Sequence, residues 1–336
     1  MEHLRFEDMQ LSKEIYQAVL DMGFEEATPI QSQAIPLVKA GKDIIGQSQT
    51  GTGKTAAFGI PCLERIDPDD RRLQALILCP TRELAIQVSE EFRKLLKYKD
   101  NIRVVPIYGG QPIDKQITQL KKRPQIVVAT PGRLMDHVKR RTLRLDKVET
   151  VVLDEADRML DMGFIRDVTR ILDLMPQRRN LGLFSATISR EVMDISWVYQ
   201  RDPVEITVRA DEQNKPDITQ YRLDVDRNEK VDTMVRLMEI GGYDRVIAFC
   251  NTKNMTDRLS GLLRMRNISC EAIHGDIQQR IREKTLEKFK RGEIKVLVAT
   301  DVAARGLDID DVDAVFNYDV PDELENLSLI HIGRCR

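Results

Sequence analysis

The feature that most narrows the possible folds is the stretch Ser48-Gln49-Thr50-Gly51-Thr52-Gly53-Lys54-Thr55, set between an apolar run at 43–47 (DIIGQ) and a helical pattern from Ala56. A glycine-rich loop between strand and helix lets backbone N–H groups wrap a phosphate, and the helix N-terminus adds partial positive charge. Ser48 stands where the usual pattern has Gly, a mild departure because Ser is also small. In such a loop Lys54 can reach the β and γ phosphates, and the Thr55 hydroxyl can ligate Mg²⁺. A plain glycine-rich turn is the bland alternative, and the order strand, loop, helix weighs against it. Gly51-x-Gly53-x-x-Ala56 also fits the loose dinucleotide fingerprint. Lys54-Thr55 sits inside it, and those side chains answer phosphates and magnesium rather than nicotinamide.

The rest of the chain fits that start. Apolar runs of strand length occur at 75–79 (ALILC), 126–129 (IVVA), 150–153 (TVVL) and 181–184 (LGLF). Between Leu84 and Leu96 the spacing of Leu84, Val88, Phe92, Leu95 and Leu96 predicts a helix. Strands alternating with helices imply parallel βαβ units, with ligands at the carboxyl ends of the strands. A second series follows at 218–225 (ITQYRLDV), 245–249, 269–273, 294–298 and 314–318. The polar stretch 209–217, which contains Pro216, separates the two series and reads as a linker. The length of 336 residues suits two domains, placed at 1–208 and 218–336.

Composition constrains the partners. A net charge of −2 excludes a generally basic coat for nucleic acid, so any polyanion site must be built locally from a few groups. The five cysteines form no CxxC pair and only four histidines are present, which argues against structural zinc and fits reduced thiols in a cytoplasm. The start, Met1 to Asp8, has no apolar core of a secretory signal, and no apolar run approaches membrane-spanning length. No membrane partner is expected.

A phosphate loop needs an acidic partner on a neighbouring strand. The run 150–153 leads directly into Asp154-Glu155-Ala156-Asp157. Asp154 at the strand end can hold Mg²⁺, and Glu155 can orient the attacking water. A carboxylate at such a place can instead be a helix N-cap. Its position after an apolar strand, downstream of the loop, favours the catalytic reading, with Lys54, Asp154 and Glu155 as the catalytic set.

With these residues the chain resembles the DEAD-box RNA helicases, over about Phe6 to Asn326. The resemblance implies two tandem RecA-like α/β domains with parallel central sheets, with ATP and Mg²⁺ as cofactors and single-stranded or locally melted RNA as partner. Gly23 to Gln31 resembles the family's Q motif, within a segment spanning 4–32, ahead of an ATP-binding domain at about 35–206. The Gln31 amide can match the N6 and N7 edge of adenine, and Phe6 is the candidate to stack on the base, although core packing is the commoner fate of Phe. Thr28, Thr50, Gly51, Thr52 and Gly53 complete the expected nucleotide contacts in the first domain.

Pro80-Thr81-Arg82-Glu83-Leu84-Ala85, Gly109-Gly110 and Thr130-Pro131-Gly132-Arg133 resemble the family's RNA-contacting segments, each after a predicted strand. Thr81, Arg82, Gly110, Thr130 and Arg133 are the candidates there, gripping backbone rather than reading bases. Alone, Gly109-Gly110 would read as a turn. Ser185-Ala186-Thr187 resembles the family's SAT segment, with Ser185 and Thr187 expected to couple nucleotide and RNA through Asp157. In the second half, Gln279 and Arg282 fill the QxxR positions. Residues 299–309 match the family's motif V, which implies RNA contact by Thr300 and nucleotide contact by Gly306 and Asp308. His274 receives no catalytic role.

The implied mechanism is ATP-driven closure of two domains on RNA, with local strand separation and reopening after hydrolysis. An ATP-gated RNA clamp that recruits partner proteins is the alternative, and a DNA helicase is a third. The presence of Lys54, Asp154 and Glu155 favours the enzyme. The family's next motif reads His-Arg-Ile-Gly-Arg-Thr-Gly-Arg and supplies an arginine finger. Here residues 327–336 read Leu-Ser-Leu-Ile-His-Ile-Gly-Arg-Cys-Arg, without the arginine after His331. They resemble the translation of a transposase sequencing adapter. The expectation is a chain truncated before that motif, with 327–336 non-native, the second domain incomplete and hydrolysis impaired.

Overall fold

The computed structural model describes residues 4–49, 51–208, 219–300, 309 and 311–320. The chain divides into two compact units, Met1–Ala210 and Asp211–Arg336.

In the first unit the strands among the described residues are β1 (Ile44–Gln47), β2 (Ala75–Leu78), β3 (Val104–Ile107), β4 (Ile126–Ala129), β5 (Thr150–Asp154), β6 (Asn180–Ser185) and β7 (Val204–Thr207). They form one sheet in the order β3-β4-β2-β5-β6-β1-β7, and every pairing is parallel. Near-continuous apolar strands of this kind must be covered on both faces. Alternate residues therefore enter two cores. Ile44, Ala75, Ile77, Val128, Val152 and Phe184 pack on one side. Ile45, Leu76, Leu78, Val127, Val151, Leu153 and Leu183 pack on the other.

The first core is covered by α1 (Lys13–Asp21), α2 (Pro29–Lys39), α3 (Lys54–Glu64) and α4 (Arg82–Leu95), which supply Ile15, Ile35, Phe58 and Phe92 among others. Past α5 (Ile113–Leu120), the second core takes side chains from α6 (Pro131–Lys139), α7 (Ala156–Asp161), α8 (Ile165–Asp173) and α9 (Arg190–Tyr199), including Leu134, Met159, Val168 and Val192. The residues picked out by helical spacing, Leu84, Val88, Phe92, Leu95 and Leu96, are all buried.

The second unit contains α10 (Lys230–Gly241), β8 (Val246–Cys250), α11 (Lys253–Arg264), β9 (Cys270–Ile273), α12 (Gln279–Lys290), β10 (Val296–Thr300) and β11 (Ala314–Asn317). Its described strands form a parallel sheet in the order β11-β8-β10-β9. Two parallel α/β sheets in tandem are the expected fold class.

Three features depart from the sequence expectation. The run 218–225 is not a strand: residues 219–225 have no regular structure, Tyr221 is 83% and Leu223 55% exposed, and Ile218 lies outside the described residues. Its alternation of apolar residues meets no strand partner, and a lone strand is not stable. β3 and β7 were not foreseen; they are the two edges of the large sheet. The helix after the phosphate loop begins at Lys54 rather than Ala56.

Candidate nucleotide and RNA site

The phosphate loop leaves the end of β1 and enters α3 through Gly53, whose φ is +85°. The positive φ requires glycine, and a Cβ, 2.3 Å from Gln31 Nε2, would push that amide off its bond to Gly53 O. Gly51 also has positive φ, +84°. Thr50 lies outside the described residues.

The start of α2 is fastened to this loop. Thr28 Oγ1 donates to Thr52 O at 2.8 Å, and Gln31 Nε2 donates to Gly53 O at 3.1 Å. Gln31 Oε1 accepts from Thr28 N–H at 2.9 Å, so the same two residues cap the helix. Gln31 thus spends half its hydrogen-bonding capacity on the protein, keeping one N–H and one lone pair. Phe6 departs from its expected role: it is 1% exposed and packs against Phe24, ring centroids 6.3 Å apart. An aromatic on the short helix Phe6–Met9 is drawn into the apolar core beside Ile15 and Ile30, where no ring face is open to a base.

Lys54 is buried, its Nζ donating to Ser48 O at 2.6 Å and Gln49 O at 3.1 Å. Thr52 Oγ1 donates to Gln49 O and lies 2.9 Å from Ser48 Oγ. Burial lowers the Lys54 pKa, while the carboxylates of Asp154, Glu155 and Asp157 pull it back up. Lys54 and the acidic group therefore share one electrostatic environment. Thr55, in the first turn of α3, is half-buried.

The acidic group sits one strand further away than expected. β6, not β5, is the neighbour of β1, and β5 lies beyond it. Two strand spacings are roughly 10 Å, a gap that the long Lys54 side chain helps to span. This order puts Ser185, at the end of β6, between the phosphate loop and the acidic strand. Ser48 N–H donates to Ser185 O at 3.0 Å on one side. On the other, Asp157 N–H donates to Ser185 Oγ at 3.2 Å. Asp157 Oδ2 also accepts from Thr187 N–H at 2.9 Å and Thr187 Oγ1 at 2.8 Å. Loop, acidic turn and SAT segment are thereby one connected network.

Asp154 ends β5, buried, with its pKa pushed up to about 7 by burial and then by the like charge of Glu155, against the pull of Lys54. Glu155 has φ +49°, in the left-handed region where a residue with a long side chain is strained. Its two oxygens both accept from Arg158 Nη1 at 3.0 Å, and both side chains are buried. Arg158 was missed in the sequence; its place three residues after Glu155 on a helix was the available signal. Three buried carboxylates face one lysine and one arginine here. Hard carboxylate and hydroxyl oxygens from Asp154 and Thr55 suit Mg²⁺, which keeps several waters and asks few protein ligands. No cluster of three or more His, Cys, Asp or Glu ligands occurs among the described residues.

The expected RNA segments of the first unit also come together. β2, β4 and β3 are adjacent, so Thr81, Thr130 and the Gly109-Gly110 turn follow three neighbouring strand ends. Thr81 Oγ1 caps α4 by accepting from Leu84 N–H at 3.3 Å, and Thr130 precedes α6, with Pro131 at its first position. The Arg82 guanidinium lies beside Gly109, where a Cβ would be 3.4 Å from its Nη2. Gly110 is exposed with φ +85°. Arg133 Nη1 donates to Gln111 O at 2.9 Å. In the second unit Gln279 and Arg282 lie in the first turn of α12 and Thr300 ends β10; all three are buried. Gly306, Asp308, the linker 209–217 and residues 327–336 lie outside the described residues.

The DEAD/DEAH box helicase family profile matches residues 28–195, and the helicase conserved C-terminal domain profile matches residues 229–335. The chain is 52% identical over 332 residues to the DEAD-box ATP-dependent RNA helicase CshA of Bacillus licheniformis, covering 98% of this chain and 68% of that protein. It is 51% identical to CshA of Bacillus subtilis, covering 98% and 67%. Among solved structures it resembles Saccharomyces cerevisiae Dbp5 bound to RNA and ADP BeF3, with TM-score 0.86, 32% identity and coverage of 98% and 86%. A DEAD box protein of Methanococcus jannaschii is 41% identical, with TM-score 0.61 and coverage of 99% and 90%.

Proposed function

This chain belongs to the DEAD-box family of ATP-dependent RNA helicases, and from that premise we propose the residues by which it binds and hydrolyses ATP and holds RNA. Lys54 exchanges its contacts with Ser48 O and Gln49 O for β and γ phosphate oxygens. Thr50, Gly51, Thr52 and Gly53 turn backbone N–H groups to the phosphates. Thr28 and Gln31 hold that loop, and Gln31 turns its remaining N–H and lone pair to adenine. Phe6 supports the base pocket from within the core rather than by stacking. Gly306 and Asp308 belong to the same proposal as further nucleotide contacts.

Asp154 and Thr55 are the residues that hold Mg²⁺, which when bound neutralises phosphate charge. Glu155 orients the attacking water. Arg158 engages one side of its carboxylate, and each oxygen keeps a further lone pair for that water. Asp157, Ser185 and Thr187 transmit the state of the loop. Thr81, Arg82, Gly110, Thr130, Arg133, Gln279, Arg282 and Thr300 grip the RNA backbone. The observation that carries this reading is the joint burial of Lys54 and Asp154, with the phosphate loop and the acidic turn tied together through Ser185 and Asp157.

Domain bounds of 1–208 and 218–336 joined by 209–217 belong to the same proposal, supported by the division into units at 210/211. A cytoplasmic setting is supported by the four cysteines among the described residues, all free and buried. RNA-stimulated phosphate release and unwinding of a short duplex test the proposal, beside RNA binding with a non-hydrolysable ATP analogue. RNA held in an ATP-dependent way by a fast ATPase that does not unwind would favour the clamp.

A further inference from the structure

Beneath the Gly109-Gly110 turn lie two wholly buried polar side chains, Gln116 on α5 and His137 on α6. Burying an amide and an imidazole is unfavourable unless their hydrogen bonds are met. Here they are. Gln116 Nε2 donates to Tyr108 O at 2.8 Å and Gln111 Oε1 at 3.2 Å. Gln116 Oε1 accepts from Arg133 Nη1 at 3.2 Å and His137 Nε2 at 3.0 Å. A peptide carbonyl can only accept, so the Tyr108 contact fixes which way the amide points. His137 Nε2 must then carry a proton. In the neutral ring Nδ1 is an acceptor, and the single Thr142 hydroxyl proton is shared between it, at 2.8 Å, and His137 O, at 3.0 Å. Burial, and then the Arg133 charge, lower the His137 pKa and favour that neutral ring.

The network holds only groups that belong to the RNA edge. Tyr108 precedes the glycine turn and Gln111 follows it, so the turn is pinned at both ends. Arg133 Nη1 is shared between Gln116 Oε1 and Gln111 O, and its Nε lies 3.9 Å from Asp136. Those contacts fix the guanidinium plane. Neither Gln116 nor His137 is exposed, so neither can touch RNA itself.

We propose that Gln116 and His137 are positioning residues for RNA: they set the Gly109–Gln111 turn and the Arg133 guanidinium in the geometry that grips the backbone. This rests on the reading that Arg133 contacts RNA. The test is fluorescence anisotropy of a labelled single-stranded RNA with a non-hydrolysable ATP analogue, across a range of salt concentrations, alongside melting temperature and analogue affinity. The variants are Arg133→Ala, Gln116→Leu, His137→Phe, Thr142→Val, and Gln116→Leu combined with Arg133→Ala.

Arg133→Ala and Gln116→Leu should each weaken RNA binding about tenfold, the scale of one hydrogen bond to a charged group. Each should reduce the slope of log affinity against log salt by about 0.7, one phosphate contact on a single strand. His137→Phe should act in the same direction and Thr142→Val more weakly. For the Gln116, His137 and Thr142 variants, analogue affinity measured without RNA stays unchanged. On the Arg133→Ala background, Gln116→Leu should cost clearly less than its effect of about tenfold in the parent, because the Arg133 contact is already gone and only the glycine turn remains to be disturbed. A lowered melting temperature with salt slope and RNA affinity intact would mean a merely structural network and overturn the proposal, as would fully multiplying effects in the double variant. Should Gln116→Leu fail to fold, His137→Phe and Thr142→Val carry the same comparison. An Arg133→Ala variant with unchanged RNA binding removes the underlying reading and the proposal with it. A weakened Arg133→Ala beside unaffected Gln116 and His137 variants removes the proposal alone.

Discussion

Two corners of the first unit's sheet are built on opposite electrostatic plans. At the ends of β1, β6 and β5, three buried carboxylates stand against one lysine and one arginine, Asp154 is pushed up to about 7, and Glu155 sits in a strained backbone conformation. At the ends of β2, β4 and β3, the buried polar groups are neutral and Gln116 has every hydrogen-bonding position filled. The first corner carries a net negative charge that a divalent cation would offset. The second is satisfied before any ligand arrives, so its outward groups are fixed in advance. A site that does chemistry keeps its charges unbalanced; a site that grips a uniform backbone benefits from rigidity.

The largest effect that would break this contrast is at Glu155. Replacing Glu155 by Gln keeps the shape but removes the base, and turnover should fall by about 10²–10⁴ while ATP and RNA affinities hold. Steady-state phosphate release with separate binding titrations checks this; equal losses in binding and turnover would make Glu155 structural. Next comes Gly53→Ala. With φ +85° and Gln31 Nε2 only 2.3 Å from the new Cβ, it should destabilise the loop by roughly 1–3 kcal/mol and weaken ATP binding, read by calorimetry. Thr187→Val removes one of two bonds to Asp157 Oδ2 and should lower stability by about 0.5–1.5 kcal/mol, with unwinding reduced more than ATP hydrolysis. Unwinding and hydrolysis falling in step would deny the segment a coupling role.

The smallest effect lies away from both corners. The Asp21 carboxylate, bonded by Lys97 and Tyr98, is held down from 3.8 to about 2. A depressed carboxyl stabilises the fold above its ordinary pKa, and that contribution is lost as pH falls through the folded value. Denaturation midpoints of the parent and Asp21→Asn should therefore differ slightly at neutral pH and converge towards pH 2.

The chemical corner was legible because its parts are local. Lys54, Asp154, Glu155 and Ser185 each follow a strongly apolar run, and the loop's spacing states its own geometry. Arg158 could have been found from its i,i+3 relation to Glu155. What escaped has physical reasons. β3 contains Pro106, which argues against a strand, yet an edge strand has no ladder partner on one side and tolerates it. In β7 only Ile206 is buried. The run at 219–225 has strand alternation but no neighbour, and periodicity cannot supply one. Gln116 and His137 are single polar residues on amphipathic helices. Their meaning depends on contacts 21 residues apart, which no local pattern encodes. Phe6 went astray because motif position suggested a surface role that burial overrode.

A double-mutant cycle on Lys54 and Asp154 reaches the central claim most directly. ATP affinity in the presence of Mg²⁺ is measured for the parent, Lys54→Met, Asp154→Asn and the pair. If both side chains act on one triphosphate–magnesium group, the double variant binds little worse than the weaker single variant. Losses that simply add, to within about 0.3–0.5 kcal/mol, would mean that the two residues serve separate sites.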